Sequence, residues 1–286
     1  MQQSNRYYDL MKYRFKEILK YILPDNFSDW LRVHLAPNNP PFGFDFSFLR
    51  RSDLPPNSGT FNSLLLSHRG AFIGKWAHYI EIYDSLFAEQ RDRFSGEKNG
   101  ITRPIRILEI GVSEGGSLEI WKKYFGKDSV VYGIDVNPEC AKLELDGVNI
   151  RIGSQADPVF LNELILEMGS PDIIIDDGSH RGEHQQISFT TLWPYLEEGG
   201  IYIVEDLATS YWSEFGDGYR KKSSFIEFSK ELGDTLHIKY TRHRLPKRVR
   251  FVQTSIHSVS FFDQIVAIKK KLRMDPKRVG YGIGAP

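Results

Sequence analysis

Between residues 105 and 204, short apolar runs alternate with amphipathic stretches in a regular order. Ile105, Ile107, Leu108, Ile110 and Val112 form a compact hydrophobic run of the kind buried on both faces of a parallel sheet. Gly111, Gly115 and Gly116 follow as a turn, and Leu118 to Phe125 carries a helical pattern. Val130 to Ile134 is a second strand ending in Asp135. Pro138 to Leu145 predicts a short helix, Val148 to Ile152 a third strand, and Gly153 to Asp157 a loop. Val159 to Met168 is helical, Asp172 to Ile175 a fourth strand, Gln185 to Leu196 a helix, and Ile201 to Val204 a fifth strand. Strands alternating with helices predict a parallel, doubly wound α/β sheet. Near the end, Ser255 to Phe262 and Gln264 to Lys269 flank Asp263 too closely for a crossover, so these two strands should pair antiparallel.

Outside this core the pattern is looser. Tyr7 to Leu23 reads as a basic amphipathic helix, expected to pack on its own domain or on a second copy of the chain rather than on a membrane. Pro37 to Pro56 is rich in proline, asparagine and phenylalanine and predicts an ordered irregular loop. Gly74 to Phe87 predicts a helix with Trp76, Ile80, Tyr83, Leu86 and Phe87 on one face, and Glu89 to Thr102 a charged solvent loop. The expected division is an N-terminal extension over 1–70 (lid or oligomer contact), the α/β domain over 71–270, and a basic, glycine-rich tail over 271–286.

Composition narrows the function. In 286 residues, 37 basic side chains balance 37 acidic ones, so no global field draws nucleic acid. The single cysteine, Cys140, excludes a disulfide framework and cysteine-based zinc sites and suits a reducing compartment. No run approaches the roughly 20 apolar residues of a membrane span, and the N-terminus lacks a signal-peptide pattern. The expectation is a cytoplasmic protein without stable membrane insertion, and a homo-oligomer.

The first βαβ unit carries a ligand signal. A glycine turn followed about twenty residues later by an acid is the general arrangement for a nucleoside-like cofactor. The dinucleotide spacing is absent, and Glu109 and Glu114 would sit poorly beside an anionic pyrophosphate. They suit the sulfonium and ammonium of S-adenosylmethionine, with Asp135 accepting both ribose hydroxyls. The cradle is expected from Glu109, Gly111, Ser113, Gly115, Ser117 and Asp135, with Asp176 also on the cofactor side.

Ligands of open α/β sheets lie beyond the carboxyl ends of the strands. The fourth strand ends there in Asp176-Asp-Gly-Ser-His180 and the fifth in Glu205-Asp206. Two like charges 4 Å apart repel by roughly 4 kcal/mol at an effective dielectric near 20. So concentrated a set of acids calls for a cation, and a hard divalent ion such as Mg²⁺ takes carboxylate oxygens. Adjacent strand residues point to opposite faces, which separates Asp176 from Asp177. The expected ligands are Asp177, Glu205 and Asp206, the last two together only if the backbone turns between them. Competing structural readings make Asp177 the start of an Asx turn and Asp206 a helix cap. His180 is the candidate general base, alongside Asp177 as a catalytic group; His184 is a lesser candidate, and His68, His78 and His257 are expected to be structural.

Ile107-Leu-Glu-Ile-Gly-Val-Ser-Glu-Gly-Gly-Ser117, Ile173-Ile-Ile-Asp-Asp-Gly-Ser-His180 and Tyr202-Ile-Val-Glu-Asp-Leu207 together resemble the macrocin and mycinamicin type of sugar O-methyltransferase. Lys75 to Tyr83 is similar to that family's helix before the core, and the closing hairpin is similar too, so the likeness runs from about Gly74 to Lys270. It implies a Rossmann-like class I methyltransferase fold dependent on S-adenosylmethionine and Mg²⁺. It implies the same metal ligands and base, and a place for Gln155 and Asp157 near the adenine. The implied substrate is a small-molecule glycoside, as in antibiotic biosynthesis. Rival readings are a metal-dependent catechol-type methyltransferase, whose lysine base has no counterpart between Asp172 and Asp206, and a non-catalytic cofactor-binding subunit. Tyr211 to Phe215, directly after the fifth strand, reads as a lid or sugar-stacking wall, or as core.

Overall fold

The computed structural model describes residues 59–94 and 103–281. The expectations for Tyr7–Leu23 and for Pro37–Pro56, most of the charged loop, and the last residues of the tail lie outside the described residues. Helix α1 (Thr60–Ser67) and helix α2 (Tyr79–Phe94) precede the sheet. Then come β1 (Arg106–Ile110), α3 (Gly116–Phe125), β2 (Val130–Asp135), β3 (Val148–Ile152), α4 (Pro158–Met168), β4 (Ile173–Asp176), α5 (Gly182–Leu192) and β5 (Ile201–Val204). Helix α6 (Phe225–Thr235) and strands β6 (Ile256–Phe261) and β7 (Val266–Lys270) finish the chain.

The seven strands lie in the order β3-β2-β1-β4-β5-β7-β6. Pairing is parallel from β3 through β5 and antiparallel for β5 with β7 and β7 with β6. This is the expected doubly wound sheet closed by an antiparallel hairpin. Its branched strand residues sort by the period of two into two cores. Ile174, Tyr202 and Val204 face the core under α4, α5 and α6. Ile173, Ile175, Ile201 and Ile203 face the core under α1, α2 and α3.

Some boundaries differ from expectation. Pro138–Leu143 is a 3-10 turn rather than an α-helix, opened by the Asn137 side chain accepting from Glu139 N. The helix expected from Gln185 begins at Gly182 and gives way at Leu192 to a 3-10 turn containing Pro194. Helix α2 begins at Tyr79, leaving Lys75 and Trp76 in the segment before it, and continues to Phe94 into the stretch expected as loop.

Two helices escaped the periodicity reading. In α6, Phe225, Phe228 and Leu232 are buried at helical spacing, and the Ser224 hydroxyl accepts from Glu227 N as an N-cap. In α1, Phe61 is fully buried and stacks on Trp121 at 5.3 Å, with Tyr83 at 5.2 Å. The packed unit therefore starts before residue 70, where the expected extension was to end.

Residues 71–75 cross the start of α3. A Cβ built on Gly116 would lie 2.3 Å from the Phe72 carbonyl and 2.5 Å from the Ala71 carbonyl, both backbone atoms. Gly116→Ala is expected to lower the unfolding free energy by about 1–3 kcal/mol, read as a lower urea midpoint at unchanged slope.

Candidate active site at the carboxyl ends of the strands

The register of the sheet assembles the site. Ile110 pairs with Ile134 on one side and Asp176 on the other, and Asp176 pairs with Val204. The next residues, Gly111, Asp135, Asp177 and Glu205, therefore stand along one rim. A cavity of about 440 Å³ opens there, a volume suited to a small ligand. Gly111, Ser113, Gly116, Ser117, Asp135, Gln155, Asp177, His180, His184 and Asp206 are in its walls, with Phe72 to Lys75 opposite the glycine turn.

The turn after β1 is shaped around Asp135. Gly111 has φ +98°, and its Cβ would fall 2.1 Å from the Asp177 carbonyl, so only glycine fits. Asp135 Oδ2 accepts from Val112 N at 2.9 Å and Ser113 N at 3.1 Å, and Oδ1 accepts from Asn137 N at 2.8 Å. Three of the carboxylate's roughly four lone-pair sites are thus engaged.

Other expected cofactor residues have structural tasks. Glu109 is fully buried and absent from the cavity wall, and accepts from Ser117 Oγ at 2.7 Å. Burial pushes its carboxyl up to about 7, against the pull of the Lys75 ammonium and the Ser117 bond. Asp176 lies under the rim on the opposite face from Asp177. It accepts from Gln155 at 2.9 Å and Ser188 at 2.6 Å, and burial raises its pKa despite these bonds. Gln155 is in the wall, yet its amide is spanned between Asp176 and Ser179 N. Asp157 is exposed, caps α4 by accepting from Val159 N and Phe160 N, and is not in the wall. Gly115 is the left-handed residue before α3 and is likewise outside it.

The acidic rim is gripped from α2 and the residues before it. Lys75 Nζ donates to Asp177 Oδ2 at 2.6 Å and to Glu205 Oε1 and Oε2 at 2.7 and 2.8 Å. Tyr83 OH donates to Glu205 Oε1 as well. Tyr79 OH at 2.7 Å and Trp76 Nε1 at 3.2 Å donate to Asp206 Oδ1. Burial raises the Glu205 pKa well above the carboxylate range, Asp177 adds to this, and Lys75 opposes it. Burial would depress the Lys75 ammonium, but Asp177 and Glu205 outweigh it and hold the group well above the ordinary lysine range. Neither Lys75, Trp76, Tyr79 nor Tyr83 was singled out as functional from sequence. Only Tyr79 and Tyr83 carry a local signal, two hydroxyls four apart on one side of α2; Lys75 lies in the segment before the helix and has none.

Asp206 adopts φ 55° and ψ 37°, the left-handed turn that lets consecutive acids face one site. It makes no side-chain cap to the turn that follows, and the Asp177 side chain accepts from Lys75. Ligand atoms of Asp177, His180 and Asp206 all lie within 4.8 Å of one another, the spacing a metal ion needs. Glu205, 1% exposed and turned to Lys75, stands behind this group and is not in the cavity wall. His180 has φ 55°, its Nε2 is 3.8 Å from Asp206 Oδ2, and its buried Nδ1 has no partner among the described residues. Its carbonyl accepts from Thr209 Oγ1 at 2.8 Å, which fastens the loop after β4 to the turn after β5. His184 Nδ1 lies 3.0 Å from Ser179 Oγ, and burial lowers its pKa.

This strand order, with ligand-sized space over the first glycine turn, defines a class I methyltransferase fold. No family model matches the chain. It is 34% identical over 207 residues to 8-demethyl-8-alpha-L-rhamnosyl tetracenomycin-C 2'-O-methyltransferase of Streptomyces olivaceus, covering 69% of this chain and 52% of that protein. It is 30% identical over 253 residues to the 8-demethyl-8-(2-methoxy-alpha-L-rhamnosyl)-tetracenomycin-C 3'-O-methyltransferase of the same organism, covering 83% and 62%. Among solved structures it is similar to MycE methyltransferase from the mycinamycin biosynthetic pathway, in complex with Mg, SAH and mycinamycin VI. The TM-score is 0.61 and the identity 26%, over 70% of this chain and 50% of that one. These comparisons bear out the resemblance read from the motifs: the curated relatives are sugar O-methyltransferases of the tetracenomycin, macrocin and mycinamicin type. The chain spans a little over half the length of the two tetracenomycin relatives.

No helix among the described residues is long and apolar enough to cross a membrane. Glu109 makes stability depend on pH. A carboxyl whose folded pKa lies above its unfolded value contributes fully below the unfolded value, near 4.5, and loses that contribution as pH rises through about 7. Relative to Glu109→Gln, the wild type should lose about 3 kcal/mol of unfolding free energy between pH 4.5 and 8, measurable by urea denaturation across that range.

Proposed function

We propose that the chain is an S-adenosylmethionine- and Mg²⁺-dependent O-methyltransferase acting on a sugar hydroxyl of a small-molecule glycoside. The observation that carries it is one continuous cavity whose walls include both the glycine turn with Asp135 and the cluster Asp177, His180 and Asp206. A donor held at the first and an acceptor held at the second would meet inside it. The relatives' names supply the acceptor class, and residues 71–270 are the domain that does the chemistry, with α1 packed onto it.

The residues present fit a divalent ion. Asp177 and Glu205 share one ammonium, and Asp177, His180 and Asp206 already have ligand spacing. When bound, such an ion would polarise the acceptor hydroxyl and hold a neighbouring sugar oxygen. Asp177, Glu205 and Asp206 are the residues assigned to hold it, which requires Glu205 to share its carboxylate with Lys75. The donor fits as well: the amides after β1 and the Asp135 carboxylate edge one end of the cavity, and Phe72, Ile110, Ile134 and Val136 line it with apolar surface.

In the transfer the acceptor oxygen attacks the sulfonium methyl carbon, the carbon–sulfur bond breaks, and a methyl ether and S-adenosylhomocysteine result. His180 takes the hydroxyl proton, on a ring anchored by its left-handed backbone and set beside Asp206. The held geometry supplies the in-line approach. A catechol-type reading would want a lysine base at the acids. Lys75 does stand there, bonded to Asp177 and Glu205, so the acceptor that is methylated separates the two readings.

The test is calorimetric donor binding followed by turnover on a panel of rhamnosides and other glycosides, with a catechol as control and mass-spectrometric detection of the methyl ether. Methylation of a glycoside, abolished by a chelator, is expected. Donor binding without turnover on any acceptor would favour the non-catalytic subunit, and a methylated catechol the rival enzyme. His180→Gln should lower kcat by about 10²–10⁴-fold while leaving donor affinity within a factor of about two.

A further inference from the structure

Three carboxylates close the strand ends, and one ammonium bonds two of them. The Lys75 side chain is 5% exposed and, among the described residues, is the only cation paired with Asp177 or Glu205. Its contacts are lopsided. It takes both oxygens of Glu205, and Tyr83 OH takes Oε1 a second time. Asp206 is bound instead by the neutral donors Trp76 and Tyr79, through Oδ1 alone, leaving Oδ2 on the His180 side. The acids thus divide into an inner pair, Asp177 and Glu205, bonded by Lys75, and an outer group, Asp177, His180 and Asp206, with the spacing for an ion.

We propose that Lys75 is a resident cation that shares Asp177 and Glu205 with the divalent ion, and thereby sets how tightly that ion is held. This rests on the methyltransferase reading above. A hard ion binds bare carboxylate oxygens, and both oxygens of Glu205 are already hydrogen-bonded. Taking up the ion at Glu205 therefore means loosening the Lys75 bond, and a fixed positive charge beside the site opposes the incoming one. Without the ion, the same lysine offsets the repulsion between buried Glu205 and its partly exposed neighbour Asp177. Lys75 is in this sense a positioning residue: it holds the ligand carboxylates in place, at a cost in ion affinity. The segment that carries it also crosses Gly116 at the donor turn, so the counter-ion is mounted on the wall of the donor cavity.

The experiment compares the full chain with Lys75→Met, which keeps the length and removes the charge, in two measurements. Titration calorimetry with MgCl₂ in the presence of S-adenosylhomocysteine is expected to show affinity rising about tenfold or more in the variant. Thermal unfolding without Mg²⁺ is expected at a lower Tm in the variant, with a larger rise on adding Mg²⁺ than in wild type. If Lys75→Met folds only when Mg²⁺ is supplied, that also supports the inference; if it does not fold at all, Lys75→Gln takes its place. Equal or weaker Mg²⁺ binding in a folded variant, with wild type binding normally, overturns the role of Lys75 alone. No Mg²⁺ binding by wild type that still binds S-adenosylhomocysteine overturns the metal-dependent reading along with it.

Discussion

Like charge gathered at the ends of adjacent parallel strands, with Glu205 buried among it, is the constraint on which this molecule depends. Asp177 and Glu205 follow register-paired residues of β4 and β5, and Asp206 is turned toward them by a left-handed backbone. Water is largely excluded around Glu205, so the repulsion is not screened away and must be met by donors supplied by the protein. Those donors come from outside the α/β repeat: Lys75, Trp76, Tyr79 and Tyr83, on α2 and the residues leading into it. Helix α2 is therefore part of the site, although it precedes every strand.

The same segment couples the two halves of the cavity. Phe72 and Ala71 place their carbonyls where a side chain on Gly116 would go, at the first turn of α3. A few residues later Lys75 reaches the acids. On the far side, Asp135 binds the amides after β1, and Gly111 passes close to the Asp177 carbonyl. Donor wall and acidic rim are thus built from contacts that share backbone, and a shift in one is felt by the other.

The parallel alternation of strands and helices, the closing hairpin and the carboxylate pairs were legible because each rests on a local rule. Apolar runs of four to six residues between glycine turns and helical phrases leave few topologies open. The sheet's period of two separated Asp176 from Asp177, and the structure has Asp176 beneath the rim among Gln155, Ser188 and Tyr202. Helix α6 went unread although Ser224 with Glu227 is a cap signal before an apolar stripe. Asp157 was assigned toward a ligand when its own neighbours take it up as a helix cap. A short polar side chain before Pro158 meets local backbone donors first, and a tertiary role has to compete with that.

By itself the sequence determined the class of fold, the rim where ligands collect, and which acids and histidine stand there, because strand periodicity and βα connection rules act over a few residues. Only the tertiary structure decided how those acids are neutralised. Lys75 reaches Asp177 across 102 positions and Glu205 across 130. Its neighbourhood reads as ordinary core, with Trp76, Ile80 and Tyr83 on one predicted helical face. Hydrophobic pattern tells which face of a segment turns inward. It does not tell which polar atom at the tip of an inward-facing lysine or tyrosine will find a carboxylate, since that partner is chosen by the packing of a helix on a sheet.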